Sequence, residues 1–154
     1  VLKEEELKEL EPILGRYPTR RGAAIDALRI VQRHRGWVSD RTLSELADHL
    51  GMTVHELDSV ATFYNLIFRR PVGRHVILLC DSVSCWILGA DTLRGHLEKR
   101  LGVGLGETTE DDRFTLLPMA CLGCCDGALA LMIDEDTHRD LDPEKLDRIL
   151  ERYE

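Results

Sequence analysis

The sequence predicts an α/β protein in two parts: a helical bundle over residues 1–70, then a sheet with helices packed on it over 71–154. Three observations predict it. The first ~65 residues carry apolar positions at helical spacing between clear stops. The character changes at Arg69-Arg70-Pro71-Val72-Gly73. Beyond that point short apolar runs and helical stretches follow in the order β-α-β-β-α, which folds as a compact sheet covered by helices.

Residues 2–14 predict a short charged helix ending at Gly15, with Tyr17-Pro18 as a break. A second helix is predicted over 20–35, with Ile25, Leu28 and Val31 on one side and Gly36 as its stop. Ser39 caps a third, in which Leu43, Leu46, Ala47 and Leu50 fall at i, i+3, i+4 and i+7 before Gly51. Thr53-Val54-His55-Glu56 is a capping box for a fourth, carrying Leu57, Val60, Ala61 and Tyr64. In the second part a buried strand is predicted over 74–80, followed by a loop that holds Cys80 and Cys85. A helix over 90–101 has Leu93, Leu97 and Leu101 at four-residue spacing, and Gly102, Gly104 and Gly106 make a turn. Strands follow at 113–119 and 128–133, with a second cysteine loop between them. The last helix starts at Asp142-Pro143 and buries Leu146, Ile149, Leu150 and Tyr153.

Composition narrows the function classes. A chain of 154 residues with 44% apolar content is long enough to fold without disulfides. The net charge of −8, with basic residues scattered apart from Arg69, Arg70 and Arg74, argues against a nucleic-acid partner. No run approaches a membrane span, so no direct membrane insertion is expected. The opening Val1-Leu2-Lys3-Glu4-Glu5-Glu6 does not read as a signal peptide, and its lack of Met is expected to reflect processing or trimming. No G-x-G-x-x-G, P-loop or Ser/His/Asp arrangement is present.

All five cysteines lie between Cys80 and Cys125, as C-x4-C, a gap of 35 residues, then C-x3-C with Cys124 as the odd member. Each group sits where an apolar run stops, Val76-Ile77-Leu78-Leu79 before Cys80 and Phe114-Thr115-Leu116-Leu117 before Cys121. Thiols at the ends of two buried strands converge on one site, and a 2Fe–2S cluster takes four of them, two per iron. The natural pairing is Cys80 with Cys85 and Cys121 with Cys125. Gly123 and Gly127 let backbone N–H groups approach the sulfurs of an anionic cluster. Cys124 is read as a bystander, since two adjacent cysteines do not easily ligate one iron.

Three rivals share the pattern. Structural zinc favours C-x2–4-C pairs, although a domain of this size needs no metal to fold. Thiol chemistry is suggested by Cys121-Leu122-Gly123-Cys124 and an element order resembling thioredoxin, but redox dithiols open the helix after the first strand, where this chain has Cys80 and Cys85. Burial as small hydrophobes is the blandest reading, and five cysteines in 46 residues speak against it. His34, His49, His55, His75, His96 and His138 show no metal spacing and read as surface or packing residues. Phe63-Tyr64 and Trp86 either face a partner or pack in the core, core packing being the preferred reading, with Trp86 beside a ligand able to shield a cluster from water; Asp134-Glu135-Asp136 reads as a solvated turn.

Stretches throughout the chain match one known family. They are Tyr17-Pro18, Gln32 to Val38, Val60-Ala61-Thr62-Phe63-Tyr64, Pro71-Val72-Gly73-Arg74-His75, Cys80-Asp81-Ser82-Val83-Ser84-Cys85, Gly106-Glu107-Thr108-Thr109, Phe114-Thr115-Leu116-Leu117-Pro118 and Cys121-Leu122-Gly123-Cys124-Cys125. With these residues the chain resembles the thioredoxin-like 2Fe–2S subunit of NADH:quinone oxidoreductase, respiratory complex I. The resemblance implies an N-terminal helical bundle over 1–70 and a thioredoxin-like 2Fe–2S ferredoxin domain over 71–154. It implies one 2Fe–2S cluster per chain on Cys80, Cys85, Cys121 and Cys125, exchanging one electron with the FMN of an adjacent NADH-oxidising subunit. FMN and NADH are then bound by that partner, and the large iron–sulfur subunit is a second partner. The implied place is the peripheral arm on the cytoplasmic face of the membrane, or the matrix side in a mitochondrion, and the chain is part of an enzyme rather than a complete catalyst. The equivalent diaphorase subunit of an NAD-linked hydrogenase or formate dehydrogenase is an alternative, as is a zinc-stabilised interaction module.

Two departures from the family pattern stand out. The family follows its last ligand with Ala-Pro or Gly-Pro where this chain has Ala128-Leu129, so Leu129 restores an N–H, and either that N–H bonds a sulfur and raises the cluster's potential or the loop shifts. Asp111-Asp112 stands where the family has Asp-Gly, which bears on the turn before the second strand.

Overall fold

Three glutamates lead α1 (Glu4–Leu14), where the positive end of a helix favours negative charge. A computed structural model of the chain describes residues 1–153. In it the backbone divides into two compact units, Val1–Pro71 and Val72–Glu154.

The first unit is built from four helices. Arg20–Ala23 is a 3₁₀ turn that leads into α2 (Ala24–Arg35), so the helix predicted over 20–35 changes its winding after its first turn. Its buried row is Ala24, Ala27, Leu28 and Val31 with Ile30. Ile25 is exposed instead of buried, because helical spacing places it on the row of Arg29 rather than that of Leu28 and Val31. α3 (Asp40–Leu50) is capped by the Ser39 hydroxyl, which accepts from Thr42 N–H at 3.2 Å, and ends at Gly51 with φ 66°. α4 (Val54–Phe63) opens on the expected box: Glu56 N–H donates to Thr53 Oγ1 and Thr53 N–H to Glu56 Oε2, at 3.2 and 2.9 Å. It buries Leu57 and Ala61, whereas Tyr64 lies at the helix end and is exposed.

Glu6 is fully buried in this unit and paired with Arg35, whose Nε and Nη2 donate to its two carboxylate oxygens at 2.6 and 2.7 Å. Lys3 N–H adds a third hydrogen bond at 2.7 Å, and Arg35 Nη1 reaches Thr42 Oγ1 at 2.8 Å. The segment after α4 is tied back by Gln32, which donates to Leu66 O and accepts from Phe68 N–H. Arg69 bonds Asp58, Asp40 and the Val38 carbonyl.

The second unit is a four-stranded sheet in the order β2-β1-β3-β4. β1 (His75–Cys80) runs parallel to β2 (Phe114–Met119), with His75 opposite Phe114 and Cys80 opposite Met119. A parallel pair needs a crossover, and the short α5 (Val83–Ile87) and α6 (Ala90–Leu101) supply it. β3 (Leu131–Ile133) lies antiparallel to β1, and β4 (Asp136–His138) antiparallel to β3. α7 (Pro143–Leu150) begins on Asp142, which accepts from Lys145 N–H at 2.7 Å. Ile77, Leu79, Leu116, Leu131 and Ile133 of the sheet share one core with Leu93 and Leu97 of α6 and Leu146, Ile149 and Leu150 of α7. Tyr153 packs on this core beyond the end of α7, and its hydroxyl donates to Asp136.

The strand predicted over 128–133 is shorter than expected. Leu129 leaves the ladder, its carbonyl accepting from Leu141 N–H at 3.1 Å, and the Ala128–Leu129 peptide is cis. The acidic turn predicted over 134–136 is confined to Asp134 and Glu135, since Asp136 already pairs with Ile133 in β4. At the other side of the sheet, β2 is covered by the preceding bend. Phe114 N–H donates to Thr109 Oγ1, Thr109 N–H to Phe114 O, Leu116 N–H to Glu107 O and Gly106 N–H to Leu116 O. The next residue on that outward side, Pro118, has no N–H.

The bend itself turns on Asp112, which has φ 54°, the left-handed conformation that glycine adopts freely. Thr109 and Asp111 hold it, each accepting from Arg113 N–H. Gly73 lies against this turn, where a Cβ would fall 2.9 Å from Asp112 O. Histidines take packing and pairing roles: His75 with Asp134 at 2.6 Å, His96 with Asp147 at 3.0 Å, His138 with Tyr153 at 3.0 Å. Among the described residues no helix is long and apolar enough to cross a membrane.

Candidate metal centre

Cys80 is the last residue of β1, so the sheet fixes its direction. Its N–H donates to Ala130 O at 3.3 Å, and the next N–H, of Asp81, to Met119 O at 3.0 Å. The chain then turns into α5, and Cys85 lies in that helix rather than in the loop expected from sequence. Trp86 N–H closes the helix turn on Ser82 O at 2.8 Å, a spacing that points Cys85 inwards and Trp86 outwards. Cys80 and Cys85 are buried, with Ala90, Leu122, Ala128 and Leu129 around them.

Cys121 and Cys125 lie in the loop after β2, with their sulfurs 3.9 Å apart. Gly123 is left-handed at φ 72° and donates its N–H to Cys121 Sγ at 3.3 Å. A 3₁₀ turn, Cys125–Gly127, follows. Cys121 and Cys125 are exposed; Cys124 is half-buried and donates to Leu122 O at 3.4 Å, away from this pair.

The electrostatics link the two pairs. Burial pushes the Cys85 thiol up to about 11, with the Cys80 side chain adding to the rise and the Ala130 backbone opposing it. The Cys125 thiol is raised first by Cys121, and the Ser84 hydroxyl works the other way. Cys85 and Cys125 each feel the other pair: Cys125 acts on Cys85, and Cys80 on Cys125. Negative charge on one pair thus disfavours negative charge on the other, which is the condition a bound cation relieves. Among the described residues no three His, Cys, Asp or Glu side chains gather to hold a single metal ion.

Of the four sequence-predicted thiols, the structure brings Cys121 and Cys125 to 3.9 Å of each other and buries Cys80 with Cys85, while Cys124 bonds Leu122 O. The donor set suits a two-iron cluster, with two thiols available per iron and backbone N–H groups close to sulfur. The backbone that opposes the rise of the Cys85 thiol is that of Ala130, one residue past the Leu129 singled out by the missing proline. Sequence reasoning passed over Ala130, whose side chain carries no signal, and Ser84, whose hydroxyl inside the C-x4-C loop was the available clue. The core reading of the aromatics is overturned: Trp86 is 61% exposed and Phe63 79%, because one faces out from α5 and the other ends α4. Ile87 and Leu88 beside Trp86 are exposed as well.

Known proteins share this design. The chain is 50% identical to a subunit of NADH-quinone oxidoreductase from Pseudomonas aeruginosa over 99% of its own length and 92% of that protein. It is 50% identical to the protein of the same name from Escherichia coli strain K12, again over 99% and 92%. Among solved structures it is similar to a chain of NAD+-reducing [NiFe]-hydrogenase in the air-oxidised state, with a TM-score of 0.73 and 27% identity over 85% of this chain. It spans only 22% of that hydrogenase chain. The model for thioredoxin-like [2Fe-2S] ferredoxins matches residues 10–154, which take in both cysteine loops and most of the helical unit. By that match and by its half-identical, nearly full-length relatives, the chain belongs to the thioredoxin-like [2Fe-2S] ferredoxin family.

Proposed function

We propose that this chain is the 2Fe–2S electron-transfer subunit of an NADH:quinone oxidoreductase. The observation that carries the reading is a pair of thiols, Cys121 and Cys125, in the loop after β2, beside the parallel β1 that ends on Cys80, in a chain half-identical to subunits of NADH-quinone oxidoreductase. Cys80 and Cys85 hold one iron, and Cys121 and Cys125 the other. When bound, the cluster takes up and returns a single electron. The electron is exchanged with the FMN of an adjacent NADH-oxidising subunit, and the large iron–sulfur subunit is the second neighbour. The complex arm that holds these subunits faces the cytoplasm.

The protein's own residues prepare the site. β1 and α5 bury Cys80 and Cys85 under Leu122, Ala128 and Leu129, which excludes water from one side. Gly123 N–H bonds the Cys121 sulfur, and the Ala130 backbone favours the charged form of Cys85, so both offset the charge of the thiolates. The exposed Val83, Trp86, Ile87 and Leu88 lie within a few residues of Cys85 and suit contact with a neighbouring subunit. The likeness to part of a hydrogenase chain supports a shared electron-transfer module; at 27% identity against 50%, the quinone-linked enzyme is the better-supported home.

Iron and acid-labile sulfide counted on anaerobically purified protein, with an EPR spectrum after dithionite, test the reading. About two irons and two sulfides with a reduced-cluster signal are expected; a silent spectrum with bound zinc would replace it by a structural site. Cys80→Ser should lose or severely destabilise the cluster and Cys124→Ser should keep it. Cluster loss in the Cys124 variant would overturn the ligand set.

A further inference from the structure

Arg139 follows β4 directly and is held from both directions. Its carbonyl accepts from Lys145 Nζ at 2.6 Å, and the N–H of the next residue, Asp140, donates to Gly127 O at 2.8 Å. Its guanidinium lies over the bare Cα of Gly127, where a Cβ would come within 2.9 Å of Arg139 Cζ. Arg139 Nη2 pairs with Asp126 Oδ2 at 2.5 Å. Gly127 N–H closes the same turn on Cys124 O at 2.9 Å. The turn that presents Cys125 is thus joined to the segment leaving β4 by a backbone hydrogen bond and by Arg139, whose guanidinium interacts electrostatically with Cys124, the neighbour of Cys125.

We propose that Arg139 is a positioning residue for the Cys125 turn and that the Arg139–Asp126 pair sets the charge beside the cluster. The proposal rests on the four-cysteine reading above. A cluster with four thiolates is anionic and gains a further negative charge on reduction, so a nearby cation favours the reduced state and a nearby carboxylate opposes it. Both side chains are exposed, Asp126 almost wholly, so the effect is small and is screened by salt.

The test is an EPR-monitored redox titration, at low and at moderate salt, of the unaltered chain, Arg139→Gln, Arg139→Lys and Asp126→Asn. Iron release to a chelator is timed on the same samples. In Arg139→Gln the reduced-to-oxidised ratio at a fixed potential should fall about threefold, which is ~28 mV at 59 mV per tenfold for one electron, and iron should leave several-fold faster. Arg139→Lys should keep the ratio of the unaltered chain. Asp126→Asn should raise the ratio. A turn merely loosened would shift Arg139→Gln and Asp126→Asn in the same direction, so same-sign shifts overturn the proposal, as does an unmoved Arg139→Gln. If Arg139→Gln retains no cluster, the lysine and asparagine variants carry the comparison, and failure of the lysine variant overturns it. Fewer than two irons on the unaltered chain would strike the ligand reading instead, and is read separately.

Discussion

Glu6 is a carboxylate with no exposed surface that remains charged, because Arg35 grips both of its oxygens and the α1 N-terminus supplies a third donor. The Arg35 hydrogen bonds, the largest cause, outweigh burial and hold its pKa below the usual carboxylate range. A depressed acid stabilises the fold above its unfolded pKa, and that stability is lost as the pH falls through the folded value. Glu6→Gln should therefore cost about 3 kcal/mol at neutral pH, the scale for breaking a buried pair. The gap from the unaltered protein should shrink steadily in acid, and urea unfolding across that range measures both. Nothing in the sequence singles out Glu6 among its charged neighbours, since its partner lies 29 residues away. The cysteines were legible because a thiol has few other uses at that density. Arg139 was not, because its meaning lies in a contact with a glycine in the turn before the neighbouring strand.

The turn before β2 joins two backbone specialities in one contact. Asp112 occupies a left-handed position that suits glycine, and Gly73 packs its bare Cα against Asp112 O. The two positions should respond in opposite ways to substitution. Asp112→Gly should stabilise by about 0.5–1 kcal/mol by removing left-handed strain. Gly73→Ala should cost about 1–3 kcal/mol, because backbone rather than a flexible side chain stands in the way of the methyl. Thermal unfolding of the two variants checks the pair; equal signs would show that the contact does not govern the turn. Helix ends were readable at this scale, since Ser39, Thr53, Gly51, Asp142 and Pro143 act through local bonds. β4 was not readable: Asp136-Thr137-His138 has no apolar run and is a strand only because β3 lies beside it. α5 was missed for a similar reason, being five residues long and placed by the cysteine it buries.

Each unit has its own apolar core, and the cysteines belong to neither of the two large ones. Cys80 and Cys85 lie instead in a small group with Ala90. Removing iron should therefore leave the far-UV circular dichroism nearly unchanged while lowering the melting temperature, since a ligand bound only to the folded state stabilises it by mass action. A collapse of the helical signal on chelation would mean that metal holds the fold together, as it does in small zinc domains. The broad α/β order was legible at this scale because it follows from periodicity and chain length; the convergence of two loops 35 residues apart follows from the parallel pairing of β1 and β2.

The outer side of β2 has a consequence for how this protein meets others. Its outward N–H groups at Phe114 and Leu116 are already spent on the bend before it, and the next outward position is a proline. The opposite border, β4, is three residues long. An extended segment from another chain finds no ladder of donors on which to continue the sheet. Contact with other chains must then be written in side chains rather than in backbone ladders, and the sheet is protected from sticking edge to edge to copies of itself.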